Sequence, residues 1–221
     1  MIDYTKKQSI DGDGERLGVW HKAALRVVKF AGQSVLDVGC GSGAFLKYLK
    51  QMQPQVRLVA GIDPNPGNIR VLASQNIPAT EGFLEGREAE FSGKYSLLTC
   101  FEVVEHLYSP KTLFDSVYAI LSAGGKFVVS TPNAFHIFRQ WTAFFWQEHR
   151  DPLLDPTRTE EPEHVRLWSY NMLKRGLLQA GFTGVKAFGF FALAGRLVVL
   201  KNSFLVRHFA QHLLFLGEKP G

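Results

Sequence analysis

The chain has 221 residues, long enough for one domain, 1–221, with a sizeable core and no need of covalent staples. Its 46% apolar and 20% charged residues are ordinary for a globular protein, and a net charge of +5 without any run of Lys and Arg argues against nucleic acid as a partner. No stretch reaches the ~20 apolar residues that cross a bilayer; the nearest, 187–200, is broken by Arg196.

Two cysteines and a polar N-terminus without an apolar signal core lead to the expectation of free thiols in a reducing, cytoplasmic setting. After an entry segment, residues 16–30 place Trp20, Ala23, Ala24, Val27 and Val28 on one helical face, so a helix packed on a sheet edge is expected. Val35, Leu36 and Val38 then make a short buried strand. It runs into a turn with Gly39, Gly41 and Gly43 and a helix from Ala44, an arrangement in which backbone can approach a ligand closely.

Two ligands fit such a turn. The spacing Gly39-x-Gly41-x-x-Ala44 matches a loose dinucleotide fingerprint, and Asp63 stands where a ribose-binding acid belongs. Asp37, however, would repel a pyrophosphate. An acid beside the glycines suits a cationic ligand with an amino acid end, such as S-adenosylmethionine.

The second strand is expected at 58–62, ending at Asp63, with Pro64-Asn65-Pro66 and a short helix over 68–75 after it. A third strand near 77–80 leads to Phe83 and Leu84, and a fourth spans 95–101. A long helix over 103–121 carries Ser109-Pro110, which should break it in two. The fifth strand spans 126–130. The regular alternation then stops: 134–168 holds Phe135, Phe138, Trp141, Phe145 and Trp146 at helical spacing, followed by an acidic, proline-dotted loop. A helix over 169–180, a sixth strand at 183–190 and a last strand at 212–218 complete the chain, with 193–210 apolar and basic by turns.

Five blocks, V-L-D-V-G-C-G-S-G (35–43), G-I-D-P-N-P (61–66), Y-S-L-L-T-C-F-E-V-V-E-H-L (95–107), G-G-K-F-V-V-S-T-P-N (124–133) and H-V-R-L-W-S (164–169), together resemble the class I S-adenosylmethionine-dependent methyltransferases. The resemblance implies an α/β, Rossmann-like fold: a seven-stranded, mostly parallel sheet with helices on both faces and the last strand antiparallel. It also implies that 1–32 forms a lid region and 134–168 a substrate cap. The strands carrying Cys40 and Cys100 should be neighbours.

For the cofactor, the resemblance implies that Asp37, Gly39, Cys40, Gly41 and Gly43 frame the methionine end of S-adenosylmethionine. Asp63 and Pro64 would serve the ribose, and Phe101 and Glu102 the sulfonium. Phe83 and Leu84 stand where many relatives carry an acid that reaches the adenine amine, so here the adenine would be held by apolar contact and backbone hydrogen bonds, unless both are core residues. His106 and His164 are the candidate catalytic residues, with His136 a further imidazole nearby.

Glu102-x-x-Glu105-His106 also resembles the metal motif of polyprenyl-quinone O-methyltransferases and of small-RNA 2′-O-methyltransferases. Glu102, Glu105 and His106 could hold a divalent metal, although acids also suit a helix start through its dipole. The implied function is O-methylation of a small or lipid-linked acceptor, with peripheral membrane contact through the insert and 193–210. The alternatives are a non-catalytic S-adenosylmethionine-binding protein of the same fold and a nicotinamide-dependent oxidoreductase.

Overall fold

The computed structural model describes residues 16–137 and 164–221. Expectations for 1–15, and for Phe138, Trp141, Phe145 and Trp146 of the insert, fall outside them. Five αβ steps open the fold. Helix α1 (Val19–Val27) precedes β1 (Ser34–Val38), and α2 (Ala44–Met52), β2 (Leu58–Asp63), α3 (Pro66–Ser74) and β3 (Ala79–Glu81) follow. Then come a one-turn α4 (Glu88–Phe91), β4 (Leu97–Phe101), α5 (Pro110–Ile120) and β5 (Lys126–Pro132). The second half holds α6 (Tyr170–Gln179), β6 (Thr183–Leu193), β7 (Arg196–Leu200), α7 (Ser203–Phe209) and β8 (His212–Glu218).

The sheet order is β3-β2-β1-β4-β5-β8-β6-β7. Strands β1 to β5 are mutually parallel, whereas β8 lies antiparallel to both β5 and β6. The period-2 alternation of strand side chains sorts the core into two layers. Val35, Leu97, Val128 and Leu214 face Ala23 and Ala24 of α1 and Phe45 and Leu49 of α2. Leu36, Leu98, Phe127 and Leu213 face Leu113 and Val117 of α5 and Leu173 and Leu177 of α6. Helix α1 packs on β6, β7 and β8, the sheet-edge position its apolar face suggests. Cys40 and Cys100 are buried, free, and carried by β1's end and its neighbour β4.

Among the described residues the sheet has eight strands rather than seven. The extra one, β7, comes from the 193–210 stretch: Ala194 (φ +48°) and Gly195 (φ +74°) close a two-residue hairpin, and β7 returns along β6 with Leu193 opposite Arg196. Two left-handed residues in a row give the turn whose twist matches that of the flanking strands. Arg196, which interrupts the apolar run in sequence, is therefore the first residue of an edge strand. The expected break at Ser109-Pro110 is present, and the segment before it forms only a 3-10 turn, Val104–His106, before Pro110 opens α5.

Candidate functional site

A cavity of about 350 Å³ opens at the C-terminal ends of the parallel strands, within the range of small-molecule sites. Its floor is the glycine turn after β1. Gly39 (φ +71°) and Gly43 (φ +85°) both occupy the left-handed region. A Cβ on Gly39 would come within 2.5 Å of Val103 Cγ2, and one on Gly43 within 2.1 Å of Leu72 Cδ2. Glycine is required at both for backbone shape and for close packing. Gly39 lines the cavity with Cys40 and Gly41, while Gly43 stands behind it at the start of α2.

The turn's amides are spent inside the protein. Gly39 N–H and Cys40 N–H donate to Ile62 O (2.8 and 3.2 Å), and Gly41 N–H donates to Asp63 Oδ2 (2.8 Å). These donors are therefore not arrayed for a phosphate, although close backbone approach from the sequence had left that open. Asp63 also accepts from Asn65 N–H and from Asn68 Nδ2 (both 2.9 Å). Among the described residues, three of its roughly four lone-pair sites are occupied. Asp37, 3% exposed, accepts from Thr99 Oγ1 at 2.6 Å, a bond that crosses from β1 to β4.

Five carboxylates line the cavity: Asp37, Asp63, Glu85, Glu102 and Glu105. Among the described residues no Lys or Arg lines it. The negative field is felt by the thiols. Burial raises Cys100 well above its ordinary value, and the charges of Asp37, Glu105, Glu85 and Glu102 add to the rise. Burial does the same for Cys40, reinforced by Asp37 and Asp63. Both stay protonated thiols at neutral pH and cannot act as nucleophiles.

Pro64, Phe83 and Leu84 lie along the side of the cavity nearest β2, with Leu84 fully buried and Phe83 half exposed. Phe101, from the end of β4, forms the opposite side with Trp20 and His21 of α1. The His21 ring stacks on Phe45 (5.0 Å, 14°) and meets Phe101 edge-on (5.0 Å, 86°). Burial pushes His21 down to about 3, so it is neutral throughout the physiological range.

Glu102 begins the crossing from β4 and has φ +54°, a strained value for a residue with a side chain. Its Oε1 accepts from Ser130 Oγ (2.6 Å), and its Oε2 faces His212 Nδ1 (3.0 Å). The carboxylate is thus engaged away from Glu105 and His106, with which the sequence had grouped it as a metal ligand. Among the described residues it is His164 that lies beside Glu105 and His106. One ligand atom from each of Glu105, His106 and His164 lies within 4.8 Å of the others, and the two imidazole centroids are 5.0 Å apart.

Backbone contacts explain how the distant His164 arrives there. Arg166 N–H donates to Glu105 O (3.1 Å), Ala134 N–H donates to Trp168 O (3.0 Å), and Arg166 Nη2 donates to Tyr108 O (3.1 Å). Thr131 Oγ1 donates to Glu105 Oε2 (3.0 Å) and fixes that carboxylate from β5. His136 does not line the cavity. The sequence reading did not single out Glu85, Asn68, His21 or His212 as site residues. Their only local signals were an acid beside Leu84 and a helix facing the sheet; for His212 there was none.

Similarity to known proteins is consistent along the chain. Ubiquinone biosynthesis O-methyltransferase of Psychrobacter cryohalolentis is 31% identical over 116 residues, covering 47% of this chain and 42% of that protein. The protein of the same description from Leptothrix cholodnii is 32% identical over 114 residues, covering 48% and 47%. The chain spans about half the length of the curated relatives it matches. Among solved structures, a possible histamine N-methyltransferase from Thermotoga maritima superposes with a TM-score of 0.69 at 14% identity, over 91% of this chain and 87% of that one. An S-adenosylmethionine-dependent methyltransferase from Archaeoglobus fulgidus gives 0.64 at 19% identity, over 91% and 93%. Those two show the shared fold. Residues 14–187 match the family model described as Methyltransferase domain, and with most of its length accounted for in this way the protein belongs to that family.

Proposed function

We propose that the protein is an S-adenosylmethionine-dependent methyltransferase acting on a hydroxyl of a small or lipid-linked acceptor. The observation that carries the reading is the charge of the cavity: five carboxylates and, among the described residues, no Lys or Arg. A pyrophosphate would be repelled there, whereas a ligand with ammonium and sulfonium charges would be held. That disfavours a nicotinamide cofactor. The naming of the relatives as O-methyltransferases supports oxygen as the acceptor atom.

S-adenosylmethionine, when bound, supplies a methyl group on a positively charged sulfur. In this reading Asp37, Gly39, Cys40 and Gly41 hold its amino acid end, with Gly43 shaping the turn from behind. Asp63 takes a ribose hydroxyl on its remaining lone pair, steadied by Asn65 and Asn68. Pro64 borders the ribose beside Asp63, Phe83 and Leu84 flank the adenine, and Phe101 and Glu102 border the sulfonium. His106 and His164 orient the acceptor from the far side of the cavity, and such alignment supplies much of the barrier reduction in a displacement.

A second function of that far side is favoured by the proximity of Glu105, His106 and His164. One carboxylate and two imidazoles form a donor set suited to Mn²⁺ or Zn²⁺ rather than to an all-oxygen Mg²⁺ shell, so these residues fit a divalent cation. A cation held there would lower the pKa of an acceptor hydroxyl.

Calorimetric titration tests the reading. S-adenosylmethionine should bind in the micromolar range and NAD⁺ should not, with EDTA or Mn²⁺ present. Transfer of labelled methyl to an alkylcatechol should follow. Failure to bind S-adenosylmethionine overturns the proposal, and binding without transfer to catechols, phenols or amines favours the non-catalytic alternative.

A further inference from the structure

We infer that His212 takes the proton from the acceptor, and that Glu102, clamped by Ser130, is the positioning residue that makes it a base. The inference rests on the methyltransferase reading and adds a residue to it that no local motif contains.

His212 opens β8, and it reaches the cavity only because β8 is antiparallel. In that direction the strand's first residue lies opposite Pro132, at the C-terminal end of β5, and beside Phe190 of β6. The imidazole stacks on Phe190 (5.1 Å, 12°) and lies 6.2 Å from the Trp20 ring, so its plane is fixed from two sides. Its Nδ1 is 3.0 Å from Glu102 Oε2. An ionised carboxylate can only accept, so Nδ1 carries the hydrogen, and in the neutral ring the lone pair is on Nε2. Among the described residues no side chain bonds Nε2, and His212 is part of the cavity wall.

The carboxylate that sets this tautomer is itself held at both oxygens. Ser130, fully buried, donates its hydroxyl to Oε1, and Ser130 O accepts from Glu102 N–H (3.1 Å). Glu102 keeps a left-handed backbone to reach these partners. A non-glycine residue in that region costs on the order of 1–3 kcal/mol and persists where the surroundings over-determine it, characteristically at functional sites. A carboxylate that served only to tie β4 to β8 would need neither the strain nor a place on the cavity wall.

The step balances without any further reactant. As the acceptor's O–H proton moves to His212 Nε2, the oxygen's electron pair forms the new bond to the methyl carbon. The carbon–sulfur pair leaves with the sulfur, whose positive charge is thereby lost. The positive charge now on the imidazole is met by Glu102. His212 acts on the acceptor, so replacing it should leave cofactor affinity unchanged.

The experiment compares wild type with His212→Asn, which keeps an N–H for Glu102 but has no basic nitrogen, and with Glu102→Gln. Long-range ¹H–¹⁵N correlation of the histidine-labelled protein reads the tautomer, calorimetry reads S-adenosylmethionine affinity, and transfer to a 3-alkylcatechol reads turnover. We expect wild-type His212 protonated on Nδ1 with a bare Nε2, and Glu102→Gln losing that preference. His212→Asn should bind S-adenosylmethionine within threefold of wild type and lose about 100-fold or more in kcat, the scale of a general base. A His212 carrying its proton on Nε2 overturns the inference, as does a His212→Asn enzyme with kcat within a few fold of wild type. A wild-type protein that fails to bind S-adenosylmethionine is a failure of the methyltransferase reading, and the tautomer then still decides the Glu102–His212 arrangement.

Discussion

The two sides of the cavity are built in opposite ways. The acidic side comes from short, contiguous pieces: Asp37 and the glycine turn directly after it, and Asp63 with Asn65 and Asn68 within six residues of chain. Its geometry is held by backbone, with the amides of Gly39, Cys40 and Gly41 bound to the end of β2. The cavity's histidines come from three segments far apart in sequence, His106 beside His164 and His212 beside Glu102, and their ring positions depend on packing and on cross-strand register. In the proposed reading, binding of a cationic ligand rests on this local loop. Handling of the acceptor depends on how distant elements meet, which is where members of one fold can diverge in substrate.

Asp63→Ala strikes the acidic side hardest. It removes the acceptor of Gly41 N–H, Asn65 N–H and Asn68 Nδ2 and should weaken S-adenosylmethionine binding about 100-fold, in line with ~1.5–3 kcal/mol for a hydrogen bond to a charged group. Calorimetry on variant protein shown to be folded by circular dichroism is the measurement. Unchanged affinity would remove Asp63 from the site and, with it, the contrast between the two sides.

His21 tests how far the cavity's edge is core. The folded protein keeps it neutral to about pH 3, while the unfolded chain takes up a proton near 6.5. The unfolded state therefore binds more protons between these values, and stability falls as pH drops from about 6.5 toward 3. Between pH 7 and 5 this amounts to about 2 kcal/mol, since each pH step of one below the ordinary histidine value costs ~1.4 kcal/mol. Urea unfolding of His21→Phe should show a pH dependence shallower by about that amount.

His164→Ala sharpens the division of labour. Mn²⁺ affinity, read by paramagnetic resonance titration, should fall about tenfold or more, while S-adenosylmethionine affinity stays within threefold. A parallel loss of both would mean the two sides are one site. The smallest effect is expected for Thr99→Val, which removes the 2.6 Å bond to buried Asp37. Leaving that carboxylate with one donor fewer should cost ~1–2 kcal/mol in denaturant stability and a few fold in cofactor affinity.

Much of this molecule was legible in its residues. The apolar alternation of Val35, Leu36 and Val38, the Gly39–Gly43 turn and the acid at 63 are local, since strand period, left-handed backbone and charge are properties of a few neighbouring residues. With the strand–helix alternation that follows them they point to a parallel, helix-flanked sheet, and Ser109-Pro110 marks the break before α5. Tertiary structure decided what depends on register. It placed His212 at the cavity because β8 inserts antiparallel between β5 and β6, and it turned the stretch after Leu193 back as an eighth strand. It also separated Glu102 from Glu105 and His106, although three and four residues apart. A left-handed Glu102 followed by a 3-10 turn sends that carboxylate to Ser130 and His212, whereas Glu105 and His106 meet His164. Sequence spacing fixes which side chains share a face only while the backbone is regular, and here the backbone changes direction at the residue in question.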